Sequence, residues 1–263
     1  MATSKAVAKK KEQELAMAGM FEEDAGKGLE TADKDSFAIP MLNILQKGSP
    51  QVDEDDGAYV DGAKAGMIYN TVEETVEDKI RVVPVAFRRS FIEWVPRDAG
   101  GGFVAEHPVE YFNELQAKGE VQVDDDYNQV LPNGNHIVDT RTHFVLRVKG
   151  DGELDWEAAM ISMSSSQLKK SKRWNSQMKG LRIEGSSGLY NPPTFSQIYE
   201  LSTVPEQNDK GSWRGWKIGN PQSITNPELY KAAKEFKDSL EAGAVKVDHG
   251  QANKSGETDT AEY

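Results

Sequence analysis

The segment 160–182 holds the densest set of residues able to bind a charged ligand. It contains six basic residues and no acidic one, although the whole chain has a formal net charge of -12. The basic residues are Lys169, Lys170, Lys172, Arg173, Lys179 and Arg182. This local reversal of charge favours a polyanionic partner, because Lys and Arg that neutralise phosphates release condensed counterions and give salt-sensitive affinity.

Trp174 lies inside this basic segment and has two interpretations. An aromatic ring among Lys and Arg suits base stacking combined with tracking of a nucleic-acid backbone. Alternatively, Trp174 belongs to the buried stripe of a helix whose solvated face carries the charges. The other members of that stripe are Leu168, Met178 and Leu181. The sequence leaves both interpretations open.

A second set of basic and aromatic residues falls on the run 80–95, which has the composition of a long β-strand. Its members are Arg88, Arg89, Phe91 and Trp94. The residues that alternate to the outer face of the strand 141–149 are Arg141, His143, Arg147 and Lys149. Together the two sets predict a positive groove across a sheet. Alternatively, the aromatic rings fill the core and the arginines protect a sheet edge from pairing.

The segment 213–217, Trp-Arg-Gly-Trp-Lys, repeats this composition near the end of the chain. Strand alternation places Trp213 and Trp216 on opposite faces. We therefore expect at most one of these two rings to stack on bases.

Catalytic and metal-binding patterns are missing from the sequence. The histidines form no H-x-x-x-H or H-x-H ligand pair, and they are His107, His136, His143 and His249. The acidic runs 53–56 and 124–126 lack the spaced ligands and central Gly of a calcium loop. Ser164 to Ser166 lack a G-x-S-x-G elbow. We therefore predict a protein that is not an enzyme and uses no metal or cofactor.

Composition narrows the class of protein further. The chain has 263 residues, a sequence pI near 4.9 and no Cys, which excludes disulfides, thiolate zinc sites and iron–sulfur clusters. Apolar runs such as 82–87 are far shorter than a membrane span, which needs about 20 residues. The basic N-terminus lacks the apolar region of a secretory signal. We expect a soluble, intracellular protein with no membrane partner.

The chain divides by composition into three parts. We predict a flexible N-terminal arm over 1–36, a single domain over 37–245 and a disordered acidic tail over 246–263. The tail residues with which a basic partner protein would interact are Glu257, Asp259, Glu262 and Tyr263. Such a tail can also compete with nucleic acid for a basic groove on the same chain.

Within the domain, turn signals and periodicity predict mainly β-structure with helices, an α+β class. The predicted elements include the strand 80–95, bent near Arg88 to Ser90, and a helix 165–180 with a capping box at Ser164 and Gln167. Two strands, 195–204 and 213–218, precede a final helix capped by Asn226. The succession of three strands, a helix and two strands is that of a five-stranded Greek-key barrel of the oligonucleotide/oligosaccharide-binding (OB) type, with extra hairpins and a C-terminal helix.

Four runs of the sequence resemble bacteriophage proteins predicted to bind single-stranded DNA. They are IPMLNILQKGSP at 39–50, GMIYNT at 66–71, VPVAFRRSFIEW at 83–94 and SQLKKSKRW at 166–174. The resemblance covers roughly 37–220. It extends to the organisation of the chain, since phage single-strand binders commonly join an OB-type core to an acidic tail that ends in an aromatic residue, here Tyr263.

The resemblance implies sequence-independent binding and protection of single-stranded DNA in phage replication and recombination, in the cytoplasm of the infected bacterium. Partners implied by it are phage or host replication proteins bound through the tail and, for an OB-type binder, a second copy of the chain. On this basis phosphates are assigned to Arg88, Arg89, Arg147, Lys169, Lys170, Lys172 and Arg173. Base stacking is assigned to Phe91, Trp94, Trp174 and Trp216.

Two other functions stay open. A single-strand annealing protein would also bind DNA but would pair complementary strands. An acidic interaction protein, or a DNA mimic, would bind a basic protein partner and show no affinity for oligonucleotides, a reading that the net charge of -12 favours.

Overall fold

The computed structural model describes residues 17–31, 37–209 and 211–243. The chain divides into two units, Met1–Phe37 and Ala38–Tyr263. In the first unit, residues 17–23 form a short exposed helix. Most of the predicted arm and all of the predicted tail lie outside the described residues. No helix in the described part of the chain is long and apolar enough to cross a bilayer.

The second unit contains thirteen strands and three α-helices among its described residues. The strands are β1 Leu42–Ile44, β2 Ile68–Asn70, β3 Thr75–Glu77, β4 Lys79–Trp94, β5 Phe103–His107, β6 Gln122–Val123, β7 Gln129–Val130, β8 His136–Val148, β9 Trp156–Met163, β10 Ile183–Gly185, β11 Gly188–Tyr190, β12 Gln197–Asn208 and β13 Gly211–Ser223. The helices are α1 Val109–Ala117, α2 Leu168–Gly180 and α3 Pro227–Glu241.

Two long antiparallel strands, β4 and β8, form the spine of the main sheet. Their pairing runs from Arg81 and Val148 at one end to Trp94 and His136 at the other. The sheet has eight strands in the order β13-β12-β4-β8-β7-β6, with β5 paired to β4 and β9 paired to β8. The fold is mixed α+β and mostly β, as predicted, and this sheet is a curled, open half-barrel. A five-stranded Greek-key barrel stays a prediction.

A smaller sheet, β1-β2-β3, ties the two open edges of the half-barrel together. Met41 forms a parallel bridge with Met160 of β9. On the other edge, the Gln46 side chain accepts a hydrogen bond from the Arg214 backbone N–H (2.8 Å) and donates one to the Arg214 carbonyl (3.0 Å) in β13. The segment around β1 therefore spans from β9 to β13.

Helices cover both faces of the main sheet. On one face, α2 buries Trp174 and Met178 against Val145, Ile161 and other strand residues. On the opposite face, α3 packs its apolar stripe against the alternate residues of the same strands. This second core contains Val83, Val85, Phe144, Leu146, Met160, Leu229, Ala233 and Leu240. As a result β8 is buried continuously from Thr140 to Val148.

A third core lies at the other end of the β4–β8 spine, under α1. Phe91 and Phe112 stack with ring centroids 4.0 Å apart, beside Leu131 and Ile137. Ile80 and Val82 of β4 belong to the first core and Val83 and Val85 to the second, so one strand passes through all three.

Most predicted elements are confirmed, but two local predictions are wrong. The register of β4 shifts between Pro84 and Ala86 rather than near Arg88, because proline has no N–H to donate to the strand ladder. Ser164 makes no side-chain cap on the following helical turn. Gln167 instead turns to β13, where its side-chain oxygen accepts a hydrogen bond from the Trp216 backbone N–H (2.9 Å). The predicted Asn226 cap of α3 is confirmed by a bond from the Glu228 N–H (2.9 Å).

Candidate nucleic-acid interface

Helix α2 presents a stripe of exposed cations to solvent. Its buried residues, Ser171, Trp174 and Met178, recur at helical spacing and face the sheet. The cationic stripe on the outer face consists of Lys169, Lys172, Arg173 and Lys179, all exposed. None of these four forms an ion pair with any residue that the structure describes. From Lys169 to Lys179 the stripe extends about 15 Å along the helix.

The position of these cations on α2 is unfavourable for the helix itself. Lys169 and Lys170 lie in the first turn, which has no acidic residue, where the helix dipole is positive. A charge of the wrong sign at this end costs about 0.3–1 kcal/mol when exposed. An anion bound beside the stripe would offset this cost.

Lys170 differs from its neighbours because it is already paired. Its ammonium group contacts the Glu206 carboxylate, which also accepts a hydrogen bond from the indole N–H of Trp213 (3.1 Å). Gly215 makes room for this carboxylate, since a Cβ there would collide with a Glu206 oxygen. Of the four cations assigned to phosphate on this helix, Lys169, Lys172 and Arg173 are therefore the accessible ones.

Three of the four rings assigned to base stacking are buried, which corrects those assignments. Trp174 has no exposed surface, and it stacks on His143 (centroids 4.5 Å apart) and meets Tyr199 edge-on. Trp216 and Phe91 are each 2% exposed and belong to the α2 and α1 cores. Packing against the sheet thus occupies the ring faces that a base would need.

Trp94 is the last residue of β4, and Arg88 and Arg89 lie in the second half of the same strand. Trp94 is half-buried against Phe103 (centroids 5.9 Å apart). The Arg89 guanidinium donates two hydrogen bonds to Asp139 (2.8 and 3.1 Å). Arg88 lies 3.7 Å from Glu106 and over the Phe144 ring. Both arginines of the predicted second patch therefore already have a carboxylate partner.

Arg147 is an internal ion-pair centre rather than a phosphate contact. It is 6% exposed and binds the carboxylates of Glu73, Glu77 and Glu157. Burial lowers the pKa of the Arg147 guanidinium, but the hydrogen bonds to these carboxylates outweigh it and raise the pKa overall. Lys149 joins the same cluster through Glu73 and Glu157.

The outward basic face predicted for 141–149 is therefore wrong. Arg141 is 8% exposed and His143 is 1% exposed, and α2 covers His143 through Ser171 and Trp174. Different elements cover the predicted basic residues of β8. Helix α2 covers His143, and the β3 region covers Arg147. Both elements are distant from β8 in sequence, so the alternation pattern alone gave no sign of them.

A half-open pocket of about 530 Å³ lies beside the C-terminal half of α2. Its lining comes from β4, from His143 of β8, from α2 and the following Arg182, and from the segment 191–194. The lining residues include Pro84, Ala86, Phe87, His143, Met178 and Asn191, with Lys179 and Arg182 also part of the wall. Asn191 fixes one wall by donating to the Lys179 and Leu181 carbonyls (2.7 and 3.0 Å).

Phe87 is the aromatic residue at this pocket that sequence reasoning missed. The residue is 44% exposed, and its ring lies 5.2 Å from that of His143. In the sequence Phe87 ends a continuous apolar run, so it looks like one more core residue. Its position directly before Arg88 and Arg89 was the one available signal.

His143 is neutral in this setting. Burial, with the Arg141 guanidinium as the smaller cause, lowers the pKa of His143 to about 3. The imidazole Nε2 shares a hydrogen bond with the Ser171 hydroxyl (2.9 Å) inside the protein. The inner wall of the pocket is therefore uncharged at neutral pH.

Metal ligands do not cluster in the described part of the chain: no group of three or more His, Asp or Glu there could hold an ion. The four predicted tail residues, Glu257, Asp259, Glu262 and Tyr263, lie outside the described residues. Their partner-binding role stays a prediction.

Comparison with protein families finds a match to phage proteins. A family model described as Pam3 phage gp34-like protein matches residues 9–246. No curated protein and no solved structure shows significant similarity to the chain. Because the match covers nearly the whole chain, including the half-barrel and all three helices, the chain belongs to the Pam3 phage gp34-like protein family.

Proposed function

We propose that this phage protein binds single-stranded DNA without sequence specificity and protects it during replication and recombination. The observation that carries the proposal is the unpaired cationic stripe of α2, in a chain whose net charge is -12. Other cations of the two predicted patches, such as Arg89, Arg147 and Lys170, are neutralised by carboxylates. The stripe, together with Arg182, is thus the part of the predicted basic surface that has no carboxylate partner among the described residues.

In this proposal the protein acts as a coat and not as a catalyst, in the cytoplasm of the infected bacterium. Lys169, Lys172, Arg173 and Lys179 neutralise successive phosphates and release counterions. The acidic remainder of the surface repels DNA, so the strand is held along α2 and not elsewhere. Salt screens this repulsion, so the decrease of affinity with salt comes from the phosphate contacts of the stripe.

The order of strands around α2 supports an OB-type half-barrel. The strands β9, β8, β4, β12 and β13 are hydrogen-bonded neighbours in that order, and α2 follows β9 and precedes β12 along the chain. This matches the predicted succession of three strands, a helix and two strands. OB-type barrels bind oligonucleotides on the face of their second and third strands.

The corresponding strands here are β8 and β9, and α3 covers one of their faces. Phe144 and Leu146 of β8 pack with Leu229 and Ala233 of α3. A strand of DNA could reach that face only if α3 moved away. The proposal therefore puts the DNA on α2, which packs on the other face of the sheet.

The test is fluorescence anisotropy of a labelled dT oligonucleotide, titrated at several salt concentrations against the protein and a triple variant. The variant carries Lys169→Ala, Lys172→Ala and Arg173→Ala. Each lost phosphate contact removes about 0.7 from the slope of log affinity against log salt. We expect the triple variant to bind more weakly, with a slope reduced by about 2.

The matched control replaces Lys231, Lys234 and Lys237 of α3 with Ala, which removes the same charge from the opposite face of the sheet. This control should keep the wild-type slope. If both variants lose affinity and salt slope equally, the effect comes from the net charge alone. That result would overturn the assignment of the DNA site to α2. No binding by the wild-type protein at low salt would discard DNA binding and favour a basic protein partner.

A further inference from the structure

The pocket beside α2 has two chemically different parts. Its inner wall is apolar and uncharged, built from Pro84, Ala86, Phe87 and Met178 next to the buried imidazole of His143. The cations Lys179 and Arg182 also line it, and both residues are exposed. A ligand that fills both parts must combine a flat or apolar group with an anion.

Arg182 and Lys179 are free to bind that anion. Neither forms an ion pair with a carboxylate among the described residues. The Arg182 guanidinium makes only long bonds to the carbonyls of Leu181 (3.2 Å) and Lys179 (3.4 Å). Both side chains can therefore turn towards a phosphate at the pocket mouth without breaking a stronger interaction.

The cationic stripe runs directly into this pocket. Lys179 is the last cation of the stripe and also lines the pocket. Asn175 lines the pocket one helical turn earlier, close to Lys172 on the helix surface. A strand whose phosphates follow the stripe would thus bring its next nucleotide to Phe87.

We propose that this pocket takes one unstacked nucleobase of the bound strand, against the exposed ring of Phe87, with the flanking phosphates on Lys179 and Arg182. The proposal rests on the proposed function and adds a reason why the protein would bind single-stranded DNA more tightly than duplex DNA. In a duplex the bases are paired and stacked, so a pocket of this kind takes a base from a duplex only at a cost of a few kcal/mol that a single strand does not incur. Aromatic stacking tolerates every base, because each has a π-face.

The volume and polarity of the pocket fit such a ligand. About 530 Å³ lies within the range of small-molecule sites. A phosphate alone would leave the apolar wall without a contact. The neutral His143 carries no charge that would attract that phosphate to the inner wall. The pocket therefore suits a nucleotide better than an inorganic anion.

The experiment is a double-mutant cycle between Phe87 and the base. Anisotropy titrations compare wild-type protein and Phe87→Ala, each with a dT oligonucleotide and with an oligonucleotide of equal length made of abasic units. Loss of one stacked base is expected to weaken dT binding by about five- to a hundred-fold. Binding of the abasic strand should be equal for the two proteins, with the same salt slope.

Three further variants keep the test decisive. Phe87→Tyr retains a ring and should restore dT binding. Phe103→Ala removes a comparably exposed ring that packs on Trp94 and is absent from the pocket lining, and it should bind as wild type does. Phe87→Leu keeps an apolar side chain, and it replaces Phe87→Ala in the cycle if that variant fails to fold.

The outcomes separate the two proposals. If Phe87→Ala and Phe87→Leu distinguish dT from abasic strands as strongly as wild type does, the pocket is not a base site, although the protein still binds DNA through α2. If wild-type protein binds neither strand at low salt, the pocket proposal and the proposed function fail together.

Discussion

The imidazole of His143 stacks on the indole of Trp174 at a centroid separation of 4.5 Å, joining the centre of β8 to the centre of α2. The Ser171 hydroxyl adds a hydrogen bond to the same imidazole (2.9 Å). This contact holds the cationic helix on the sheet. Burial beside Arg141 disfavours the charged form of His143, which makes the attachment of α2 sensitive to pH.

We predict that stability falls as the pH is lowered from about 6.5 to 4.5. The folded-state pKa of His143 is about 3, below the unfolded value of about 6.5, so protons bind preferentially to the unfolded chain in this window. The free energy of unfolding should decrease towards a slope of about 1.4 kcal/mol per pH unit. Chemical denaturation at a series of pH values measures it.

The control for this prediction is His143→Gln, which removes the titrating group. The other histidines are present in both proteins, so the difference between the two slopes reports on His143. Equal slopes in the two proteins would show that His143 is protonated as easily in the fold as in the unfolded chain.

Replacing Arg147 with Ala should destabilise the protein without an effect on DNA. The substitution leaves Glu73, Glu77 and Glu157 close together without their shared cation. The carboxylates left behind are partly exposed and Lys149 still pairs with two of them, so the loss should be smaller than that of a fully buried pair, which is about 3–5 kcal/mol. Urea denaturation measures the loss, with Arg97→Ala, an exposed arginine, as the control.

The conservative variant Arg147→Lys separates structure from binding. A lysine keeps the charge but loses the bidentate geometry, so it should be intermediate in stability. Its salt slope for dT binding should equal that of wild type. A salt slope smaller than that of wild type by about 0.7, the value of one phosphate contact, would show that Arg147 does bind phosphate.

Lys169→Glu should make the protein more stable and a weaker DNA binder. An acidic residue in the first turn of α2 interacts favourably with the helix dipole, which is worth about 0.3–1 kcal/mol. The same change puts a negative charge beside the phosphates. Denaturation and anisotropy on one preparation measure the two effects, and Lys234→Glu within α3 serves as the control. Loss of both stability and binding would contradict the idea that the stripe is maintained for a ligand.

Glu93→Gln should loosen the end of the sheet under α1. The Glu93 carboxylate accepts hydrogen bonds from His107 (2.7 Å), Asn133 (2.8 Å) and Asn135 (2.6 Å). In the glutamine side chain an NH₂ group replaces one carboxylate oxygen, so at least one of these N–H donors loses its acceptor. A buried polar group left without a partner costs about 1–3 kcal/mol. Thermal unfolding at neutral pH measures the loss, and Glu110→Gln on the exposed face of α1 is the control.

The same carboxylate gives this prediction a pH dependence. Burial raises the pKa of Glu93, but the bonds from Asn135, Asn133 and His107 outweigh it and lower the pKa overall. Its stabilising contribution is therefore complete above the unfolded pKa of about 4.3 and is lost as the pH falls through the folded value. The gap between wild type and Glu93→Gln should narrow below about pH 4.

Local patterns predicted the elements of this fold well because they depend on neighbours in the chain. The Asn226-Pro227 start of α3 and the buried spacing of Trp174 and Met178 are set within one or two helical turns. The alternation of β8 was also correct as a strand. It could not show that the basic face would also be covered, since α2 and the β3 region, which cover that face, come from elsewhere in the chain.

The candidate site was predictable only in part for the same reason. The segment 160–182 has six basic residues and no acidic one, and this pattern marked α2 directly in the sequence. Which cations stay free depended on distant carboxylates, such as Glu206 for Lys170 and Glu77 for Arg147. The exposure of Phe87 likewise depends on packing around the pocket, which no local pattern records.

The sixteen-residue strand β4 has a consequence for how the protein unfolds. Ile80 and Val82 belong to the core under α2, Val83 and Val85 to the core under α3, and Phe91 to the core under α1. A fluctuation that opens one of these cores must break the ladder that supports the other two. The described domain should therefore lose structure in a single cooperative transition, and the central amides of β4 and β8 should exchange with solvent only when all of it opens.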